Sequence, residues 1–131
     1  SMDIVSNLQK KEVIYPYVHE MYIALRDCPT YKTKVVILGQ DPYYNGQAMG
    51  YAFGCKTKAS ASLIQIVKAI RKSEPKLYKG TADTTLSYLV QQGVMLLNTK
   101  FAVRQGVPNS LTEVNWKLIT TDIIKAINAL N

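Results

Sequence analysis

The chain has 131 residues, 47% of them apolar, which is enough for one packed domain spanning 1–131 and too hydrophobic for wholesale disorder. Sixteen lysines and arginines against nine acids leave a formal charge of +7, a balance that favours a polyanionic partner, with solubility alone as the plainer alternative. Two cysteines without CxxC spacing (Cys28, Cys55), one histidine (His19) and no 18-residue apolar run argue against zinc, a disulfide scaffold and a membrane span, so a soluble intracellular protein is expected.

Ser1 ahead of Met2 reads as a cleavage scar. In chain order, residues 3–11 read as a short amphipathic helix and residues 18–25 as a second, with Val18, Met21, Tyr22 and Leu25 on one face. Residues 27–34 form a polar turn. The apolar run at 35–38 reads as a strand buried on both faces of a parallel sheet. Residues 39–50 hold Pro42, Asn45 and three glycines and read as an irregular loop, followed by a short strand at 51–55. Ser60 or Ser62 caps a helix running to Lys72. Thr84 or Thr85 opens another through Gln91, ended by Gly93. Residues 94–98 are a second buried strand, and residues 112–130 a final helix with Trp116, Ile119, Ile123, Ile124 and Ile127 inward. This alternation implies an α/β fold, a small parallel sheet with helices on both faces. A final helix of this kind normally leads to another strand. Either the sheet is unusually small or the next strand is absent from the sequence.

Both strands run into a polar side chain at their carboxyl end, Asp41 after one and Asn98 closing the other. That edge is where open α/β sheets bind ligands. An acid there supplies electrostatics, and an amide can both donate to and accept from a base edge. Tyr43, Tyr44 and Phe53 add flat surfaces on which a base could stack. The plainer alternative is that Asp41 organises its own turn and Asn98 caps the next loop.

The segment Val36-Ile37-Leu38-Gly39-Gln40-Asp41-Pro42-Tyr43 resembles the water-activating loop of family 1 uracil-DNA glycosylases. Ile14-Tyr15-Pro16, Gly46-Gln47-Ala48, Gly50, Ala52-Phe53, Gln92 through Thr99, Val103-Arg104, Asn109-Ser110 and Trp116 follow in family order. The resemblance implies a uracil-DNA glycosylase-like fold lacking the family's last strand. It implies hydrolysis of the N-glycosidic bond of deoxyuridine in DNA, as in base excision repair, with no cofactor and no metal. Asp41 would activate water and stabilise the oxocarbenium-like sugar. Gln40 would hold uracil through its backbone, Tyr43 would exclude the thymine methyl, Phe53 would stack on uracil, and Asn98 would read its N3 and O4 edge. Ser62 takes the place of a phosphate-contacting serine. Arg104 stands between a phosphate contact and a structural salt bridge. The implied partner is uracil-containing DNA, single- or double-stranded. A homodimer or a protein partner at an open sheet edge is a further expectation.

The departures define an alternative. Tyr44, Met49 and Leu111 stand where the family has histidines, Ser60-Ala61 replaces a proline-rich turn, and the loop from Asp41 to Gly50 is one residue short. The family's second catalytic histidine and its leucine loop have no counterpart in these residues. A catalytically impaired module that binds DNA or protein is therefore the competing expectation.

Overall fold

The computed structural model describes residues 2–78, 80 and 83–130. Its centre is a parallel pair of strands, β2 (Val35–Gly39) and β3 (Val94–Asn98), in register from Val35 opposite Val94 to Gly39 opposite Asn98. A second, antiparallel ribbon joins β1 (Ile14–Tyr15) to β4 (Val103–Arg104). Among the described residues the α-helices are α1 (Met2–Gln9), α2 (Ile23–Asp27), α3 (Ala61–Ser73), α4 (Ser87–Val90) and α5 (Trp116–Leu130). The architecture is α/β, with α2 and α4 packed against β3.

The core follows from the apolar spacing. Met95, Leu96 and Leu97 of β3 are buried in one core with Leu63 and Val67 of α3, Leu89 and Val90 of α4, and Trp116 at the head of α5. Phe101 joins this core through ring contacts to Tyr22 and Trp116 at centroid distances of 5.3 and 5.6 Å. Each buried large side chain contributes about 1.5–3 kcal/mol by leaving water. This packing gives the carboxyl ends of β2 and β3 a rigid base.

Several expectations need correction. The run at 35–38 is not buried on both faces: Val35 is 52% and Leu38 47% exposed. Among the described residues β2 pairs with β3 alone, so its other edge stays open. The helix expected over 18–25 is split into a 3-10 turn at Val18–Glu20 and α2, because Tyr22 leaves helical geometry at ψ 12°. Residues 51–55 form no strand; Cys55 makes only an isolated bridge to Ala48. The helix expected from Thr84 begins at Ser87, since Asp83 accepts bonds from Thr85 and Ser87 and folds the preceding turn. The last helix starts at Trp116, not 112, with the Asn115 side chain accepting from the Leu118 N–H. The β1–β4 ribbon was not legible, because two-residue strands carry no periodicity.

No helix is long and apolar enough to cross a membrane among the described residues.

Candidate functional site

The strand ends are tied to each other before any side chain is considered. The Thr99 N–H donates to the Gly39 carbonyl at 2.8 Å. The Gln40 carbonyl accepts from the Thr99 hydroxyl at 2.6 Å and from the Lys100 N–H at 3.2 Å. The backbone after β2 is thereby zipped to the backbone after β3, which sets Asp41 beside Asn98.

Gly39 makes this approach possible. A Cβ there would lie 2.3 Å from the Asn98 Oδ1 and 3.2 Å from the Ala52 Cβ. The Asn98 amide therefore lies across the end of β2, in space that any larger residue would fill. Asn98 is buried, with its side chain at the wall of the cleft described next.

Asp41, Tyr43, Ala48, Tyr51, Phe53 and Asn98 line one narrow cleft of about 10 Å³. Phe53 reaches it from the left-handed region, at φ 66°. A non-glycine residue there stores strain of about 1–3 kcal/mol and persists only where its surroundings hold it. The holding bonds are visible. Ala52 donates to the Leu96 carbonyl at 2.9 Å, and the Tyr43 hydroxyl donates to the Phe53 carbonyl at 3.2 Å. Tyr43 is itself fixed by the Ser60 hydroxyl at 2.5 Å, while the Ser60 oxygen accepts from the Leu63 N–H at 3.0 Å and caps α3. Burial pushes the Tyr43 hydroxyl up to about 12, so it stays protonated through the neutral range. Tyr51 is anchored on the far side by its hydroxyl bond to Asp27; burial, reinforced by that carboxylate, raises its pKa.

Asp41 is half-buried, and its Oδ2 accepts the backbone N–H of Asn109. Asn109 presents that N–H from φ 55°, a conformation asparagine tolerates better than most residues. The Asn109 side-chain oxygen in turn accepts from the Lys100 ammonium. The turn is folded from within by Ser110, whose hydroxyl donates to the Val107 carbonyl at 2.7 Å and accepts from the Arg104 N–H at 2.8 Å.

The remaining expected residues fall outside the cleft. Gln40 is exposed and contributes its backbone at the rim; its N–H carries no hydrogen bond among the described residues. Ser62 is exposed in the first turn of α3, one residue beyond the helix start. The Arg104 guanidinium lies between two carboxylates, Glu12 at 3.0 Å and Glu113, whose bonds raise its pKa. Of its two expected roles, this geometry favours the structural one. His19 stacks on Tyr17 at 5.9 Å, and the Lys56 ammonium sits 4.6 Å from the same ring centroid. No group of three or more His, Cys, Asp or Glu among the described residues could hold a metal ion. A wider, shallower concavity lies at the opposite end of the strands between Lys32, Lys34 and Gln92, away from these groups.

Sequence reasoning passed over Asn109, Lys100 and the Ser60–Tyr43 link. Asn109-Ser110 stood out as a pair, but nothing in the spacing connects residue 109 to residue 41.

Fold and site together define an α/β protein with a narrow cleft at the carboxyl ends of two parallel strands, lined by an acid, an amide and aromatic rings. No family model matches the chain. It is 38% identical over 120 residues to a uracil-DNA glycosylase of Brevibacillus brevis, covering 89% of this chain and 52% of that protein. It is 35% identical over 126 residues to the uracil-DNA glycosylase of Saccharomyces cerevisiae, covering 94% of this chain and 35% of that protein. The crystal structure of mimivirus uracil-DNA glycosylase superposes with a TM-score of 0.84 at 25% identity, over 98% of this chain and 49% of that one. Over its length the chain is similar to uracil-DNA glycosylases in sequence and in fold. It spans about half the length of the Brevibacillus brevis and mimivirus proteins.

Proposed function

We propose that this chain carries the uracil-DNA glycosylase site and hydrolyses the N-glycosidic bond of deoxyuridine in DNA. One observation carries the reading: Asp41, Tyr43, Phe53 and Asn98, from two strand ends and a strained loop, line the same cleft. The base enters after flipping out of the stack, because the target bond is inaccessible in a stacked duplex. Phe53 stacks on the ring. Asn98 donates to O4 and accepts from N3–H, the pattern that uracil offers and cytosine does not. The Tyr43 ring, held through its hydroxyl, closes the space a 5-methyl group needs. The exposed Gln40 N–H is placed to meet a uracil carbonyl. As the bond breaks, positive charge grows on the sugar; the Asp41 carboxylate stabilises it and orients the attacking water. No cofactor or metal takes part. The charge of +7 and the exposed Ser62 at the start of α3 favour contact with DNA phosphates.

The test is abasic-site formation on a single-stranded uracil oligonucleotide, which avoids the cost of opening a duplex. Cleavage that falls by about 10² or more in Asp41→Asn supports the reading. Intact oligonucleotide with a folded protein sinks it.

A second reading, a module that binds DNA or protein without catalysis, has its own observation. Tyr44 is exposed, the Met49 sulfur accepts the Tyr51 N–H at 3.2 Å, and Leu111 is fully buried. None of these three positions brings an imidazole to the cleft. Salt-sensitive DNA binding without cleavage selects this reading. In either case the open edge of β2 offers unpaired backbone groups, a pairing surface for a second copy or another polypeptide. Sedimentation as a stable monomer at high concentration refutes self-pairing.

A further inference from the structure

We propose that Lys100 is a positioning residue for the Asp41 carboxylate, acting through Asn109; the proposal rests on the glycosylase reading for its catalytic consequence. Lys100 is held at both ends. Its backbone N–H donates to the Gln40 carbonyl at 3.2 Å, next to Asp41, and its ammonium donates to the Asn109 side-chain oxygen. Lys100 also lines a groove with Leu38, Trp116 and Thr120.

Asn109 converts this anchor into a constraint on the acid. With φ at 55°, it turns its backbone N–H onto the Asp41 Oδ2 while its side chain faces the ammonium. The turn is exposed, from Gln105 to Asn109, so burial does not hold Asn109 in place. Ser110 fixes the following residue by two hydrogen bonds, and Lys100 fixes Asn109 itself. Without the ammonium, the left-handed residue is free to relax, and the carboxylate loses its only hydrogen-bond donor among the described residues. A carboxylate free to rotate about its bond spends less time aligned with the sugar, which slows the chemical step and leaves ground-state binding intact.

The variants are Lys100→Met, which keeps an unbranched stem of similar length, and Lys100→Arg, which restores a cationic donor. Two readouts are followed. The first is hydrogen exchange at the Asn109 amide, which accelerates about tenfold in Lys100→Met, as in Asp41→Ala, and returns in Lys100→Arg. The second is steady-state cleavage of the single-stranded uracil oligonucleotide: kcat falls about tenfold in Lys100→Met with KM within twofold, and Lys100→Arg recovers most of it. A merely structural role would lower Tm or change kcat and KM together, without rescue by arginine, and that pattern overturns the proposal. Unchanged Asn109 exchange in Lys100→Met also overturns it. If the wild-type protein is inactive, the glycosylase reading falls by itself, and the exchange comparison alone decides whether Lys100 holds Asn109 onto Asp41.

Discussion

Gly39→Ala isolates the close approach on which the cleft depends. The added Cβ would stand 2.3 Å from the Asn98 Oδ1, well inside contact, and 3.2 Å from the Ala52 Cβ. The nearer obstruction is the tip of a side chain, so Asn98 can swing aside while the strands stay paired. An off-rotamer Asn98 costs about 0.5–1.5 kcal/mol, and the tight Ala52 contact brings the total to about 1–2 kcal/mol. For a chain of this size that lowers Tm by about 3–8 °C. On the proposed glycosylase reading the functional loss is larger, because the displaced amide would no longer face the base. A lost donor and acceptor against a buried base edge is worth about 2–4 kcal/mol, or roughly 30- to 10³-fold in kcat/KM. Thermal melts and cleavage kinetics are measured for Gly39→Ala, Asn98→Ala and the double variant. If the clash is the cause, the double variant regains the stability lost in Gly39→Ala and is no less active than Asn98→Ala. Additive losses in both measurements refute the reasoning, since they would mean Gly39 acts independently of Asn98.

Ser60→Ala removes the cap of α3 and the hydroxyl that orders Tyr43, and lowers stability by about 1 kcal/mol, read as a drop of a few degrees in Tm. An unchanged Tm contradicts the cap. Arg104→Gln leaves the salt dependence of DNA binding unchanged, because its guanidinium is already shared by Glu12 and Glu113. A slope of log K against log salt shallower by about 1 would instead identify a phosphate contact. The Asp27 carboxyl is held below its ordinary range by the Arg26 guanidinium, opposed by partial burial and aided by the Tyr51 hydroxyl. A folded value below the unfolded one contributes stability that is fully present above the unfolded carboxylate pKa, about 3.9, and lost as pH falls through the folded value. Melting curves below about pH 4 should therefore fall less steeply for Asp27→Asn than for wild type; parallel acid limbs would refute the assignment.

Strand β3, helix α3 and the polar ends of both strands were legible from the residues. Val94 to Asn98 appears as expected because a continuous apolar run has few alternatives to a buried strand. Ser60 caps α3 because a hydroxyl ahead of an amphipathic stretch satisfies an otherwise orphaned N–H. Residues 18–25 misled because helical spacing of apolar positions persists through a break in the backbone at Tyr22. The run at 35–38 misled for a different reason. Composition states that β2 can be buried on both faces, but burial also requires a neighbour on each edge.

The amino-acid sequence by itself determined which chemical groups could act: an acid and an amide at two strand ends, with aromatic rings nearby. Those choices are local, written in residue type and in the glycine and proline around them. The tertiary structure decided which groups meet. Gly39 gives way to Asn98 from 59 positions later, a separation that also links Gln40 to Thr99 across the strand ends. Asp41 takes its donor from Asn109 and Arg104 is claimed by Glu12 and Glu113. Such pairings arise from how separate segments pack, and no periodicity or spacing in the chain encodes them.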